Sequence, residues 1–214
     1  MADARSYVTC AEEANGPIPR PADFAWPWGK ALTLVDEFTP EVRLINRKTT
    51  ITADGEFAPG KSVRYRMHPD NIACLTAIRP DACALANNHT LDFGPAGLID
   101  TLGALRAAEI ECVDAGLDSE RAERPAILTL PDAHHVVIAS GGMKSSGIAR
   151  RWAATAARPG VAYIPNLSNR TAAEIADRVL AVKQPSAISR SYPCTGAPTG
   201  VTTSRAAKFA SRAD

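Results

Sequence analysis

Apolar and polar positions alternate along the middle of the chain in a pattern that predicts an α/β order of strands and helices. The clearest helix is predicted over 95–108, because Leu98, Leu102, Leu105 and Ala108 recur at helical spacing on one face. Short apolar segments between helical segments predict buried strands. The predicted strands are 42–46, 82–86, 111–113, 126–130 and 135–139, and the other predicted helices are 30–38, 69–78, 119–124 and 171–183.

The two ends of the chain have a different pattern. The first 28 residues are predicted to form loops, because Pro17, Pro19, Pro21 and Pro27 exclude a long helix. The helix 171–183 is predicted to start at a Thr cap, with a Glu three residues later. Segment 186–214 follows without the expected strand; it lacks Leu and carries four cations and one anion. We therefore divide the chain into a domain over 1–185 and an unlike segment over 186–214.

Composition narrows the class of protein. A chain of 214 residues, 45% hydrophobic and 22% charged, has room for one α/β domain or a piece of a larger one. Its net charge of +1 does not indicate the excess of positive charge that is typical of nucleic-acid-binding domains. No apolar run approaches the ~20 residues of a membrane span, and no signal peptide is visible. We expect a cytoplasmic protein without a membrane span.

The loop 87–94 carries the candidate chemistry, because it follows a predicted buried strand and precedes the strongest helix. Ligands bind at this end of the strands in open α/β sheets. An Asn carbonyl is a ligand for a divalent cation, and a His binds metal or protonates a leaving oxygen. The alternative is a structural loop, in which Asp92 caps the following helix and His89 is a polar surface residue. Local sequence leaves both interpretations open.

The run 85–94, LANNHTLDFG, followed by Gly97-Leu98 and by Asp100-Thr101-Leu102, resembles the central motif of the CapA family. Further segments are similar, among them 65–69, and the similarity covers roughly residues 3–185. These are poly-γ-glutamate capsule-synthesis proteins with a calcineurin-like metallophosphoesterase fold. The resemblance implies a metallophosphoesterase-like α/β sandwich, a role in capsule biosynthesis, and metal-dependent phosphoester hydrolysis.

The resemblance also assigns roles to residues. Asn88 and Asn46 match family metal ligands, and His89 matches the group that stabilises or protonates the leaving oxygen. Asp92 is close enough in sequence for us to infer that it orients His89. The implied cofactor is a divalent metal (Mn, Fe or Zn), and the implied substrate is a small-molecule or polymer-related phosphoester.

Two residues are expected to line the cleft and to contact this substrate. They are Arg66 and His68, which lie just before the predicted helix 69–78. For His68, a structural role at the start of that helix is the alternative.

The chain also departs from the family pattern. The family's first strand, which ends in Gly-Asp, is absent, because residues 2–8 resemble family sequence downstream of it. Where the family has Asn-Leu-Glu, this chain has Asn46-Arg47-Lys48. Placing the Lys48 ammonium beside a divalent cation would cost about 4 kcal/mol, taking two unit charges at the dielectric of a protein surface. Arg47 takes the position of a buried Leu.

The family's later strand that ends in His-Trp-Gly is missing too. When the codons for residues 190–204 are read in another frame, however, permitted codon choices encode FVSLHWGANWGYDIP, which contains that motif. We therefore hypothesise a frameshift near residues 185–186 and expect an incomplete domain, lacking its first strand and its C-terminal portion. The alternative to a CapA-like enzyme is a catalytically inactive remnant or a non-enzymatic binding module. For the 214 residues as they stand, we expect negligible hydrolysis.

Overall fold

A computed structural model describes residues 4–183, with side chains described for 9–14 and 16–183. The helices are α1 (Ala4–Asn15), α2 (Lys30–Phe38), α3 (Ile72–Thr76), α4 (Gly94–Ala107), α5 (Ser119–Glu123) and α6 (Asn169–Val182). The strands are β1 (Leu44–Asn46), β2 (Thr50–Ile51), β3 (Arg66–Met67), β4 (Ala82–Ala84), β5 (Glu111–Val113), β6 (Ala115–Gly116), β7 (Ala126–Thr129), β8 (His135–Ile138) and β9 (Gly160–Val161). This mixture confirms the α/β class. The domain limit at 185/186 and the proposed out-of-frame segment lie outside the described residues.

The largest sheet is parallel, with strand order β1-β4-β5. Leu44 pairs with Ala82, and Ala84 pairs with Val113, so the three strands end at one level. Because carboxyl ends of parallel strands share one edge, Asn46, the loop after β4 and Asp114 are brought together. The candidate site is built at this edge.

Smaller two-stranded sheets surround the main one. β2 pairs with β3 in parallel, β6 with β9 in antiparallel, and β7 with β8 as an antiparallel hairpin. The hairpin confirms the two strands predicted around the Pro131-Asp132 turn. The short pairs β2–β3 and β6–β9 were not predicted, because two-residue strands leave no measurable alternation in a sequence.

The core lies between α4 and the strands. Leu98 and Leu105 are fully buried, and Leu102 and Ala108 pack against the same cluster, as the helical spacing predicts. α4 approaches β2 closely at Gly97, where an added Cβ would lie 3.0 Å from Thr50 Cγ2 in β2 and 2.6 Å from the Cβ of Phe93 at the start of α4. This approach holds the loop 87–94 against the sheet.

One predicted loop and two predicted helices differ in detail from the structure. The prediction of loops over the first 28 residues is wrong before Pro17, because α1 ends at Asn15 and no proline interrupts it. The predicted helix 69–78 is a 3₁₀ turn (Pro69–Asn71) followed by α3. α6 starts before the predicted Thr cap: Ser168 is its N-cap, and the Ser168 hydroxyl accepts a 3.3 Å hydrogen bond from the amide of Thr171.

Candidate functional site

Asn87 joins the loop after β4 to the end of β1. Its side-chain amide donates to Asn46 Oδ1 at 3.0 Å and to the carbonyl of Arg47 at 2.9 Å. Its Oδ1 accepts the amide of His89 at 2.9 Å. Each side-chain polar atom of this buried residue is therefore used, and the backbone at His89 is fixed relative to the sheet. The sequence analysis assigned no role to Asn87.

His89 and Asp92 form a buried pair. Their relative exposures are 7% and 0%, and 2.7 Å separates His89 Nδ1 from Asp92 Oδ2. The structural-loop alternative is therefore wrong for both residues: His89 is not on the surface, and the N-cap of α4 is Phe93 without a side-chain cap. The contact expected between Asp92 and His89 is present. Their catalytic roles stay predictions.

Two residues that the sequence analysis did not single out complete this cluster. The Tyr65 ring lies 4.3 Å from the His89 ring between centroids, and the Tyr65 amide donates to Asp92 Oδ2 at 2.7 Å. The ammonium of Lys61 donates to Asp92 Oδ1 and to the carbonyl of Asn88. Both lie in or just after the segment 53–62, whose sequence shows no periodic signal.

The accessible polar groups at the site are the side-chain amide of Asn88 and His89 Nε2. Within the described residues neither group makes a hydrogen bond, and neither is among the fully buried unpaired polar atoms, so both reach solvent. Gly147, in the left-handed region at φ 77, abuts Asn88: an added Cβ would lie 2.9 Å from the Asn88 Cβ. The Gly/Ser loop 140–147, which contains Gly147, therefore borders this surface.

Within the described residues, the other predicted site residues, Asn46, Arg66 and His68, make no hydrogen bond to the side chain of Asn88 or of His89. Asn46 contacts Asn87 rather than Asn88. Arg66 donates to the carbonyl of Ala53 at 3.3 Å and stacks 5.1 Å from the Phe93 ring, one residue from Asp92. These contacts neither establish nor exclude the substrate role assigned to Arg66.

His68 takes the structural position that its alternative described. Its Nδ1 accepts the amide of Asp70 at 3.3 Å and thereby caps the 3₁₀ turn before α3. No hydrogen bond, ion pair or ring contact within residues 4–183 joins it to His89. Its substrate role stays a prediction.

Positive charge is concentrated at the end of β1. Arg47 is 7% exposed, and Nη1 is buried without a hydrogen-bond partner among the described residues. Burial lowers the pKa of Arg47 to about 10, an effect that Cys83 partly offsets. Lys48 is exposed beside it. The burial of Arg47 agrees with its match to a buried family Leu.

Asp114 holds the backbone that leads from β4 into the loop 87–94. Its Oδ1 accepts the amides of Leu85 at 2.7 Å and Ala86 at 2.6 Å, which lead into the Asn87 loop. Burial raises the pKa of this carboxyl above its ordinary value, while bonds to Ser140, Leu85 and Ala86 oppose the shift. The left-handed backbone of Asp114, at φ 61, turns the side chain back towards β4.

The donor set does not fit a divalent metal. In the described part of the chain, no three His, Cys, Asp or Glu side chains lie close enough to hold one. Both oxygens of Asp92 are taken by Lys61, His89 and Tyr65, and Asn46 Oδ1 is taken by Asn87. The two groups that remain among the described side chains, the Asn88 amide and the His89 imidazole, are fewer ligands than a metal site requires.

The family model described as bacterial capsule synthesis protein PGA_cap matches residues 3–199. The chain belongs to this family. The resemblance to the CapA family is thereby confirmed. The match continues beyond residue 186, into the segment that the sequence analysis separates from the domain, and the division at 185/186 stays a prediction.

Curated relatives include the "Probable polyglutamine synthesis accessory protein" of Mycobacterium tuberculosis, in strains CDC 1551 / Oshkosh and ATCC 25618 / H37Rv. Each is 50% identical over 190 residues, covering 88% of this chain and 50% of the relative. The chain thus spans about half the length of these relatives. Between residues 4 and 183, no helix is both long and apolar enough to cross a membrane.

Proposed function

We propose that this chain serves the synthesis of a poly-γ-glutamate capsule, and that its surface at Asn88 and His89 binds a small or polymer-related phosphoester. Family membership and the names of the mycobacterial relatives support the capsule role. The observation that carries the binding site is the 2.7 Å pair of His89 Nδ1 and Asp92 Oδ2 with Nε2 left open to solvent.

The chemistry of this pair suits an oxygen-rich ligand. A carboxylate only accepts hydrogen bonds, so Asp92 keeps a proton on Nδ1 and leaves the Nε2 lone pair outward. Nε2 is then able to take a proton from a bound hydroxyl or phosphate group and to return it. The neighbouring Asn88 amide supplies a donor and an acceptor. Lys48 adds positive charge near the same edge of the sheet, which favours an anion.

Metal-dependent hydrolysis is not part of this proposal, because the described side chains do not supply the ligands. The family's dinuclear chemistry would need acidic or imidazole ligands beyond the one free imidazole. We therefore expect that these 214 residues hydrolyse phosphoesters negligibly.

A second candidate is a catalytically inactive remnant or binding module of the same family. The buried, unpaired guanidinium of Arg47 favours it, because an unsatisfied cation next to the site destabilises the fold without an evident function. This candidate predicts no specific phosphoester binding at His89.

Binding is tested by titrating phenyl phosphate into the ¹⁵N-labelled chain. The expected result is a saturable shift of the Asn88 and His89 amides in the wild type and in the control His134→Gln, and none in His89→Gln. His134 is a suitable control because it lies in an exposed turn and contacts Asp132. Absence of any shift in the wild type would contradict phosphoester binding and favour the inactive remnant.

Two measurements test the expectation that the chain does not carry out metal-dependent hydrolysis. They are the metal content of the purified chain and its hydrolysis of p-nitrophenyl phosphate with added manganese. We expect little bound metal and no turnover above the buffer control. Near-stoichiometric metal with turnover that is lost in His89→Ala and kept in His134→Ala would show a metal-dependent enzyme and would overturn this expectation.

A further inference from the structure

Three contacts join the segment 53–65 to Asp92. The amide of Ala58 donates to the carbonyl of Asp92 at 2.9 Å, and the amide of Tyr65 donates to Asp92 Oδ2 at 2.7 Å. The third attachment is the ion pair between Lys61 and Asp92 Oδ1. Asp92 therefore holds the segment while it also contacts His89.

Lys61 is enclosed by the groups that it contacts. Its side chain is 18% exposed, and that of Asp92 is 0% exposed. The ammonium donates to the Asn88 carbonyl as well as to Asp92, and it lies 5.4 Å from the centre of the Trp152 ring. A buried carboxylate without a cation is costly, so this pairing accounts for Asp92 being tolerated at the centre of the site.

The contacts also determine which nitrogen of His89 carries the proton. With the proton on Nδ1, the imidazole donates to Asp92 Oδ2 at 2.7 Å. With the proton on Nε2, two lone pairs would face each other across that distance, and Nδ1 would instead accept from the Lys61 ammonium, which lies 3.4 Å away. An ammonium has three N–H donors, and two of them are directed to Asp92 Oδ1 and to the Asn88 carbonyl. The third would reach Nδ1 across 3.4 Å, a longer contact than the 2.7 Å between Nδ1 and Asp92 Oδ2, so the first arrangement is favoured as long as Lys61 holds Asp92 in place.

We propose that Lys61 is a positioning residue for His89: by holding Asp92 Oδ1, it keeps Oδ2 directed at Nδ1 and the Nε2 lone pair directed at the ligand surface. This inference rests on the proposed function only in assuming that a ligand binds at the surface to which Nε2 is directed. The orientation itself is a property of the free chain, and it is measured without a ligand.

The experiment is long-range ¹H–¹⁵N NMR of the imidazoles in the free chain, with amide hydrogen exchange on the same samples. The variants are Lys61→Met, Lys61→Arg and the control Lys144→Met, which replaces an exposed lysine. We expect one Nδ1–H signal for His89 in the wild type and in Lys144→Met. Lys61→Met should show a mixture of tautomers, and Lys61→Arg should restore the single form.

Hydrogen exchange measures the attached segment. Protection of the Tyr65 amide, which depends on Asp92 Oδ2, should fall about tenfold or more in Lys61→Met, as expected for loosening a bond to a charged acceptor. Protection of the Leu98 and Leu105 amides in α4 should stay unchanged, because these residues lie in the core. Loss of protection throughout α4 would mean global unfolding, so Lys61→Gln is measured as a second variant.

The results separate the two proposals. A wild-type His89 with its proton on Nε2 would overturn the role of Lys61 whether or not the variants fold. A folded Lys61→Met with an unchanged His89 signal and an unchanged Tyr65 amide would overturn it too. If phenyl phosphate fails to bind while the tautomer depends on Lys61, only the proposed function fails. If phenyl phosphate binds and the tautomer is independent of Lys61, only the present inference fails.

Discussion

Replacing Arg47 by Met should stabilise the protein. The guanidinium is buried at the end of β1, with Nη1 unpaired among the described groups and Nη2 3.7 Å from the sulfur of Met67. A Met side chain has a similar length and no charge, and it would extend the apolar contact with Met67. The substitution removes a buried charge without removing an ion-pair partner, so no other residue is left uncompensated.

The pKa of Arg47 gives the expected magnitude. Burial lowers it to about 10, and the difference from the ordinary arginine value corresponds to about 3 kcal/mol against the charged form. Because the folded value lies below the unfolded one, the penalty is complete at neutral pH and disappears only as the pH rises above about 10 towards the unfolded value. We expect Arg47→Met to raise the free energy of unfolding by about 3 kcal/mol at neutral pH.

The assay is urea unfolding followed by tryptophan fluorescence, together with thermal unfolding. A gain of this size would raise the melting temperature by roughly 6–12 °C. Lys48→Met is the matched control, since Lys48 is the exposed neighbour and should change stability by at most about 0.5 kcal/mol. Stability of Arg47→Met equal to or below that of the wild type would refute the reasoning, as would an equal gain in Lys48→Met.

Two further predictions concern α4 and Asp114. Gly97→Ala should destabilise by about 1–3 kcal/mol, because the new Cβ would lie 2.6 Å from Phe93 Cβ and 3.0 Å from Thr50 Cγ2. Gly103→Ala, in the same helix with nothing within 4 Å, should stabilise by roughly 0.5–1 kcal/mol in the same urea titrations. Asp114→Asn should keep the acceptor for Leu85 and Ala86. Because burial raises the pKa of Asp114 above 3.8, wild-type stability should lose a contribution as the pH rises through the folded value, and the variant should lack that loss in urea midpoints measured against pH. A steeper pH dependence in the variant would contradict the assigned direction.

The elements that the sequence predicted well are those with enough residues to show a period. Helix 95–108 is found as Gly94–Ala107, and the hairpin strands predicted over 126–130 and 135–139 are found as Ala126–Thr129 and His135–Ile138. Periodicity fails for β2, which has two residues, and it gives no information on α1, where the prolines that start at Pro17 were given too much weight. The N-terminal prediction failed because a proline limits a helix only near its own position.

For the site, contacts within one loop were predictable from the sequence, and contacts between distant segments were not. The proximity of His89 and Asp92 was predictable, because three residues separate them in one loop. Lys61 and Tyr65 were not, since they reach Asp92 from a separate segment 27–31 residues away in sequence, and no local pattern encodes that contact. The family motif directed attention to Asn88, while Asn87 makes the structural contacts.

The position of Asn87 has a consequence for how the site responds to distant change. One side chain spans the end of β1 and the backbone of His89, so the imidazole is located by the register between β1 and β4 rather than by its own loop alone. A substitution that shifts β1 along β4, even on the far side of the sheet, would displace His89 Nε2 by a comparable distance. We therefore expect the effect of a substitution in β1 on the site to depend more on whether it changes the β1–β4 register than on its distance from His89.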